Sequence, residues 1–418
     1  MTFLLSLFFF FRPIMFIDIG WLIFGLNITE FFAVFATIIL ICAFVLRVVV
    51  SKQLNISIID FFIMFFIVWC SFIYVLYIDT SSPKDVAKFT LPFFTYIVMK
   101  NVIKDRKQYM QLLKLMIFGF AIPVFSSAIL ILQGMGLDRV MYWTGLYRFQ
   151  GVYVNPHNLG HCMAFLLMIM AIYSVLCYVD PDVKDLRKRK LLFLFFITMG
   201  LFALYCLYKS YVRTCLLGLG VFVYYYLFKI NKRLLLVLTG VLCLLGVLFA
   251  ALLYTIFFDM IDAAQGKERA DYFGSGRPYI WKHNLNEFSN LSLDRMLAGV
   301  GVGNRRAEGE VTKKGVIWNS HNDFLEVMMQ TGLVGLFLYL ALQICIYRRI
   351  RRLEGKVLFV FLALFYAVNF MNFVSNSYVT RFGLGQLFYA VLAFIEIPDS
   401  TKKEVDEEDS SFTSGISY

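Results

Sequence analysis

The sequence predicts an all-α polytopic membrane protein with about twelve transmembrane helices and one long outer loop. Composition is the first reason. Of 418 residues, 60% are of the types AVILMFWYC and 16% are charged, against roughly 45–50% apolar (glycine included) and about 25% charged in soluble proteins. Apolar runs of span length and basic residues in alternate loops are the other two reasons. A soluble fold could not bury so much apolar surface, and intrinsic disorder is excluded for the same reason.

Twelve segments approach the roughly 20 apolar residues that a transmembrane helix needs. They cover residues 3–25, 29–50, 57–78, 89–103, 110–133, 158–179, 191–208, 211–228, 234–258, 322–347, 357–376 and 382–397. Arg12-Pro13 interrupts the first segment, and the fourth is short. We therefore predict transmembrane helices 1 to 9 in residues 1–258, a long loop in 259–320, helices 10 to 12 in 321–397 and an acidic cytoplasmic tail in 398–418.

The basic residues predict the orientation of these helices. The loops after the second, fourth, sixth, eighth and tenth segments contain twenty Lys and Arg residues but five Asp and Glu residues. Cytoplasmic loops carry such an excess, so these loops and both termini are predicted to be cytoplasmic. The net charge of +11 is therefore mainly an orientation signal, and nucleic-acid binding is not indicated.

The long outer loop contains two local signals. Ser275-Gly-Arg-Pro278 predicts a helix start, with proline at the first helical position. Apolar residues then recur at helical spacing, which predicts a short amphipathic helix with Trp281, Leu285, Phe288 and Leu291 on one face. We interpret Gly299-Val-Gly-Val-Gly303 as a flexible turn, because no βαβ pattern surrounds it to indicate a dinucleotide site.

No metal or cofactor site is predicted. The eight cysteines lie in apolar runs without a CxxC pair, which is typical of buried hydrophobic side chains. His157 and His161 have the spacing of metal ligands on a helix, but capping and packing are favoured because no third ligand is apparent. Asp180-Pro-Asp182 mimics a metal-binding DxD motif, yet it lies among Lys and Arg residues and is interpreted as a solvated cytoplasmic loop.

Several cations lie on the outer face, where the orientation rule does not require them. They are Lys84 or Lys88 before the fourth segment, then Arg148, Arg213, Arg277, His321 and Arg381. Arg213 lies inside the end of a predicted span, where a charged side chain is a functional candidate by default; snorkelling to the headgroups is the alternative. Clustered guanidinium groups suit a diphosphate, since their planar forks bind phosphate oxygens bidentately.

His321 is the candidate for proton transfer. It lies at a predicted helix N-terminus, where the helix dipole favours the neutral imidazole that can accept a proton from a hydroxyl. The alternative is a helix-capping cluster with Ser320 or Asn322 as the cap.

Four motifs together resemble the O-antigen ligase and O-antigen polymerase superfamily. His321-Asn322, nine residues, Gly332, two residues and Gly335 resemble its H-N-x9-G-x-x-G signature. The others are Gly276-Arg277…Trp281 with Gly299-x-Gly-x-Gly303 in the outer loop, Lys209-Ser-Tyr-Val-Arg213-Thr, and Arg148…Gly151…Asn155-Pro156. His157 departs from the Asn-Pro-Asn expected in the last motif.

The resemblance implies a fold of the membrane glycosyltransferase type and metal-independent transfer, without a cofactor, of a glycan from undecaprenyl diphosphate. Transfer would occur at the periplasmic face of the bacterial inner membrane. His321 would be the base or would orient the acceptor hydroxyl. The diphosphate would be bound by Arg213 and Arg277, with Arg148, Lys88 and Arg381 as further candidates. Positioning roles would belong to Asn322, Gly332, Gly335 and Trp281.

Two acceptors and two other classes of protein remain open. The acceptor is lipid A core in a ligase and a second lipid-linked repeat unit in a polymerase, and direct displacement would invert the anomeric centre. A secondary transporter is the main alternative from another class, supported by the Arg12-Pro13 break, although no internal repeat is apparent. A structural or receptor protein that binds a partner through the outer loop is the third possibility.

Overall fold

A computed structural model describes residues 2–17, 22–23, 26–51, 54–79, 83–138, 147–179, 190–248, 277–303 and 320–398. The helices in chain order are α1 (Thr2–Ile14), α2 (Ile28–Ser51), α3 (Ile58–Leu76), α4 (Pro83–Val102), α5 (Arg106–Leu132), α6 (Pro156–Val179), α7 (Lys190–Lys209), α8 (Arg213–Ile230), α9 (Lys232–Leu248), α10 (Arg277–Ser289), α11 (Leu293–Ala298), α12 (Asp323–Ile350), α13 (Gly355–Val374) and α14 (Phe382–Leu392). A 3-10 helix follows at Ala393–Glu396. The predicted tail beyond Pro398 and the Asp180-Pro-Asp182 segment lie outside the described residues.

Two short antiparallel strand pairs accompany the helices. Strand β1 (Leu22–Ile23) pairs with β2 (Leu26–Asn27). Strand β3 (Leu137–Asp138) pairs with β4 (Arg148–Phe149), with Asp138 opposite Arg148. An isolated bridge joins Ile17 to Tyr153, so the chain after α1 lies against the chain before α6.

The predicted class, a helical multi-pass membrane protein, is confirmed. Within the described residues, seven helices are long and apolar enough to cross a membrane: Ile58–Leu76, Arg106–Leu132, Pro156–Val179, Leu191–Lys209, Arg213–Ile230, Asp323–Ile350 and Gly355–Val374. Shorter apolar helices cover Phe3–Ile14, Val34–Val50 and Phe382–Glu396. The number of twelve spans stays a prediction.

The first predicted segment, residues 3–25, is divided where Arg12-Pro13 interrupts it. Helix α1 ends at Ile14, and its 13 residues extend only about 20 Å at 1.5 Å per residue, less than the roughly 30 Å of a bilayer core. The Arg12 guanidinium lies over the rings of Phe16 and Phe382. Its Nε also donates to Gln386 Oε1 at 2.7 Å. The break therefore anchors the end of α1 on α14.

Glycines allow close approach between helices in the core. A Cβ at Gly119 of α5 would lie 2.2 Å from Phe10 O of α1, and one at Gly218 of α8 would lie 2.5 Å from Met371 of α13. Small residues commonly line helix contacts in membranes, where the helices gain packing but no hydrophobic burial. Outward-facing positions are apolar, for example Phe61, Phe65 and Phe72 of α3.

Charged side chains at the predicted cytoplasmic end form ion pairs. Lys100, at the end of α4, pairs with Asp60, at the start of α3, and both side chains are buried. Arg349 Nε lies 3.3 Å from Glu396 Oε1. At this end, cations that are withdrawn from water are thus matched by carboxylates, as a buried charge requires.

The helix predicted in the outer loop is present as α10, which begins at Arg277. Three of the four residues predicted for one apolar face pack inward: Phe288 is buried, and Trp281 and Leu291 pack against the same cluster. Leu285 is instead 52% exposed, while Ile280 and Asn284 are buried. Phe288 packs against Leu325 and Met329 of α12. Helix α10 therefore lies on the first turns of α12, which set its buried face.

Helix α12 has a kink at Gly332, where φ is 69° and ψ is −171°. At the kink, the turn after α11 hydrogen-bonds to carbonyls of α12: Val300 N donates to Met329 O at 3.0 Å and Gly301 N donates to Gln330 O at 3.3 Å. A Cβ at Gly332 would lie 2.1 Å from Leu297 O. The 299–303 turn, expected to be flexible, is instead joined to α12 by its backbone.

The Gly332→Ala substitution is expected to destabilise the protein. This backbone region is essentially restricted to glycine, at a cost of about 1–3 kcal/mol for other residues, and the added Cβ would overlap the Leu297 carbonyl. We expect a lower thermal unfolding midpoint of the detergent-purified protein.

The matched control is Gly240→Ala on α9, because a Cβ there meets no atom of the described chain within 4 Å. Its unfolding midpoint is expected to stay within error of the unsubstituted protein. Equal midpoints for the two variants would contradict a requirement for glycine at the kink.

Candidate functional site

Four arginines from separate elements converge at one end of the helices. They belong to β4, to the first residues of α8 and α10, and to the loop before α14, and we call them the arginine cluster: Arg148, Arg213, Arg277 and Arg381. Arg277 interacts electrostatically with Arg213. The buried Cys215, one turn into α8, interacts with the other three members: Arg148, Arg277 and Arg381. The structure therefore brings together cations that are up to 233 positions apart in the numbering of the chain.

Neutral acceptors hold two of these guanidinium groups. Arg381 Nε donates to Asn376 O at 2.9 Å. Its Nη1 donates to Asn158 Oδ1 in the first turn of α6. Arg148 Nε donates to Ser210 O at 3.1 Å. Oxygen atoms of amides orient a guanidinium group without cancelling its charge, so these contacts leave Arg381 positive.

The turn before Arg213 is tightly built. Tyr211 has φ of 51°, a left-handed backbone that is uncommon outside glycine. A Cβ at Gly160 of α6 would lie 2.9 Å from Val212 Cβ, so α6 and this turn are in close contact. Arg213 itself is exposed at the first position of α8. The turn therefore presents its side chain at the helix end.

His321 is held between two fixed neighbours. On its C-terminal side, Asn322 caps α12, with Oδ1 accepting from the amides of Phe324 and Leu325 at 3.0 Å each. On the other side, Ser320 O accepts from Trp281 Nε1 at 2.9 Å. His321 has φ of 51°, and such strain is common at functional sites. Of the two caps considered from the sequence, the structure selects Asn322.

A buried network extends from Ser320 to the glycine turn. Ser320 Oγ donates to Glu326 Oε2 at 2.6 Å. Gln330 Nε2 donates to Glu326 Oε1 at 2.5 Å, and Gln330 Oε1 accepts from Gly303 N at 3.0 Å. Glu326 and Gln330 are one helical turn apart on α12. The chain on both sides of residues 304–319 is thus anchored to the same helix.

The positive surroundings of His321 favour its neutral form. Burial first, and then the charges of Arg277 and Arg381, lower the pKa of His321 to about 4. The pKa of Arg277 is also lowered, by burial first and then by Arg213. Because the guanidinium groups stay protonated at neutral pH, the site combines a neutral imidazole with fixed positive charge.

No carboxylate of the described residues forms an ion pair with Arg213, Arg277 or Arg381. This end of the molecule contrasts with the other, where Lys100 and Arg349 have acidic partners. Four clustered guanidinium groups repel one another in partly apolar surroundings. An anion bound among them would relieve this repulsion, and phosphate oxygens match their geometry.

The two histidines at the start of α6 have different surroundings. His157 interacts electrostatically with the arginine cluster and with His321. His161 is fully buried, its Nε2 lies 2.9 Å from Ser377 Oγ and its Nδ1 lies 2.8 Å from His157 O. Both ring nitrogens of His161 therefore have protein partners, which agrees with the packing role favoured from the sequence. The described residues contain no group of three or more His, Cys, Asp or Glu that could hold a metal.

Within the described residues, no contact joins Lys88 or Gly335, two further site candidates, to the arginine cluster. Lys88 is exposed on α4, and within the described residues no hydrogen bond or electrostatic interaction links it to the arginines. Gly335 follows the kink of α12, where an added Cβ would lie 1.9 Å from Thr331 Oγ1 and 3.4 Å from Trp69. Its role is close packing.

Asn158, Glu326, Gln330 and Asp323 were not predicted as site residues. Each is polar within or at the end of an apolar helix, and buried polar groups need hydrogen-bond partners. For two of them the sequence contained a signal: Glu326 and Gln330 are four residues apart, which places their side chains next to each other on a helix.

Fold and site together define a helical multi-pass membrane protein with a cationic cluster and a neutral histidine at one end. A family model described as O-antigen ligase matches residues 198–340. This match confirms the resemblance to the O-antigen ligase and polymerase superfamily, over a segment that contains Arg213, Arg277 and His321. The comparison with curated proteins found no match.

His321 is expected to titrate well below the usual range for histidine. In the ¹⁵N-histidine NMR spectrum of the purified protein, its resonance should titrate near pH 4, and the His321→Gln variant assigns it among four histidines. Arg277→Gln removes a positive neighbour, so the pKa of His321 should rise in that variant.

The control is Arg295→Gln, an exposed arginine on α11. It should leave the His321 resonance unchanged. A native His321 that titrates near its ordinary pKa of about 6.5 would contradict the electrostatic account.

Proposed function

We propose that the protein transfers a glycan from undecaprenyl diphosphate to an acceptor hydroxyl at the outer face of the bacterial inner membrane. The acceptor in this proposal is lipid A core, as in an O-antigen ligase. The family match supports an O-antigen-ligase-like function in general terms. The observation that carries the specific proposal is the arginine cluster around His321, which combines anion binding with a neutral base.

The donor would bind through its diphosphate. Arg213 and Arg277 are the first candidates because they are mutual neighbours on α8 and α10, and the matched segment contains both. Arg381 and Arg148 add charge from the loop before α14 and from β4. The exposed apolar helix faces leave the polyprenyl chain in the bilayer, while the diphosphate lies at the helix ends.

The transfer step would use the cations in place of a general acid. The acceptor oxygen forms a bond to the anomeric carbon as its proton passes to a ring nitrogen of His321. The bond from the anomeric carbon to the diphosphate oxygen breaks, and the diphosphate leaves with the electron pair. Preorganised guanidinium groups stabilise the charge that develops on it, and displacement from the opposite face inverts the anomeric centre.

Donor binding would also improve His321 as a base. In the empty site, burial and the positive field keep the imidazole weakly basic. A bound diphosphate opposes that field, which raises the pKa of His321 toward neutrality, where a general base is most effective. The base would therefore be activated by the donor itself.

Reconstitution with the purified protein tests the donor site. Arg213→Gln and Arg277→Gln are each expected to raise KM for the diphosphate-linked glycan about tenfold to a hundredfold, since each removes a hydrogen bond to a charged group. Arg295→Gln is the matched control and should leave KM unchanged. Unaltered KM in both cluster variants would remove these arginines from the donor site.

His321→Ala is expected to separate catalysis from binding. It should lower kcat about 10²- to 10⁴-fold, the usual contribution of a general base, while donor affinity stays near that of the unsubstituted protein. Full activity of this variant would rule out His321 as the base. A product with retained anomeric configuration would contradict direct displacement.

The acceptor decides between a ligase and a polymerase. The donor is supplied with lipid A core in one reaction and alone in another. Glycosylated lipid A core supports the proposed ligase, whereas ladders of longer carrier-linked chains identify a polymerase. Uptake of a substrate into proteoliposomes without any glycan product would favour a transporter.

A further inference from the structure

A buried carboxylate joins the helix that follows His321 to the loop that carries Arg381. Asp323, the first residue of α12, is fully buried. Its Oδ2 accepts from the amides of Ser377, Tyr378 and Val379 at 2.9, 3.0 and 3.1 Å. Its Oδ1 accepts from Thr380 Oγ1 at 3.0 Å. Four consecutive residues of the 377–380 loop thus donate to one carboxylate.

These bonds determine where the loop lies. Three successive amides converge on a single oxygen, which forces the loop to wrap around Asp323 and leaves few alternative backbone conformations. Ser377 Oγ also lies 2.9 Å from Nε2 of the buried His161. Arg381 follows the loop directly, and its Nε donates back to Asn376 O at 2.9 Å. The guanidinium is therefore attached to a loop whose conformation depends on Asp323.

We propose that Asp323 is a positioning residue that holds Arg381 in the arginine cluster, beside His321. This proposal rests on the proposed function, in which Arg381 contributes to binding of the donor diphosphate. Asp323 lies two residues after His321, so one side chain sets the distance between the base and a diphosphate-binding cation. Hydrogen bonds to a charged acceptor are strong enough for this role.

The direction in which a substitution of Asp323 changes anion binding separates positioning of Arg381 from a simple electrostatic effect. Asp323 and Arg381 interact electrostatically, so loss of the negative charge alone makes the cluster more positive and strengthens binding of an anion. Loss of the loop's anchor displaces Arg381 and weakens binding. Asp323→Ala makes both changes, and the proposal requires the weakening to dominate.

The first measurement is hydrogen exchange of the full-length protein in detergent. Asp323→Ala should increase exchange of the amides of Ser377 and Val379, which lose their acceptor. The increase should be smaller at Tyr378, whose amide also donates to Asn372 Oδ1 at 3.1 Å. The amides of Val300 and Gly301, bonded to α12 at its kink, serve as the internal control and should keep their protection. Unchanged exchange at 377–379 would overturn the proposal.

The second measurement is a double-mutant cycle with inorganic pyrophosphate as the probe in titration calorimetry. Asp323→Ala and Arg381→Gln should each weaken binding about tenfold or more, and the double variant should be no weaker than Arg381→Gln alone. Asp323→Ala combined with Arg277→Gln should be additive, because Arg277 lies on α10. Additive losses with Arg381 would overturn the proposal.

Asp323→Asn is the conservative variant. Its amide oxygen can accept from the loop amides and its NH2 can donate to the Thr380 hydroxyl, while the negative charge is lost, so pyrophosphate binding should be at least as tight as in the unsubstituted protein. Binding as weak as in Asp323→Ala would contradict positioning by hydrogen bonds.

The two measurements distinguish failure of the proposed diphosphate site from failure of the anchoring role of Asp323. If Arg381→Gln leaves pyrophosphate binding intact, Arg381 is not part of the diphosphate site, and the affinity role of Asp323 is overturned with it. Increased exchange at 377–379 in Asp323→Ala would then still support the anchor itself.

Discussion

The repulsion among like charges held close together is the constraint on which the end of this protein that contains the arginine cluster depends. Guanidinium groups of the arginine cluster cannot be brought together by attraction for one another, so other contacts have to hold their elements. Amide and carbonyl oxygens of Asn158, Ser210 and Asn376 orient two of them. These acceptors fix geometry without neutralising charge, and the positive potential stays available to a ligand.

Close backbone contacts hold together, against this repulsion, the elements that carry the arginines. At the kink of α12, Gly332 lies against Leu297 O. The 299–303 turn after α11 donates the amides of Val300 and Gly301 to carbonyls of α12. Near Arg213, Gly160 permits contact between α6 and Val212. Such contacts bring backbones close enough to add hydrogen bonds and packing. A preorganised cluster needs no rearrangement when charge develops on a leaving group.

The helical membrane class and the candidate cations could be read from the sequence, because composition, apolar length and motifs are local properties. The arginines of the matched segment and His321 do lie together. The end of α1, the exposure of Leu285 on α10 and the fixed glycine turn were different from the predictions. Each depends on a partner distant in sequence: Gln386 for Arg12, Leu325 and Met329 for Phe288, and α12 for the turn. Hydropathy contains no information about such partners.

The network from Ser320 to Gly303 has a consequence for variation among related chains. Both ends of residues 304–319 are attached to neighbouring turns of α12, through Glu326 and Gln330. The entropy of closing a loop grows only with the logarithm of its length. Because both attachment points lie on α12, the positions of Ser320 and His321 are set by this helix and not by the number of residues between the two points.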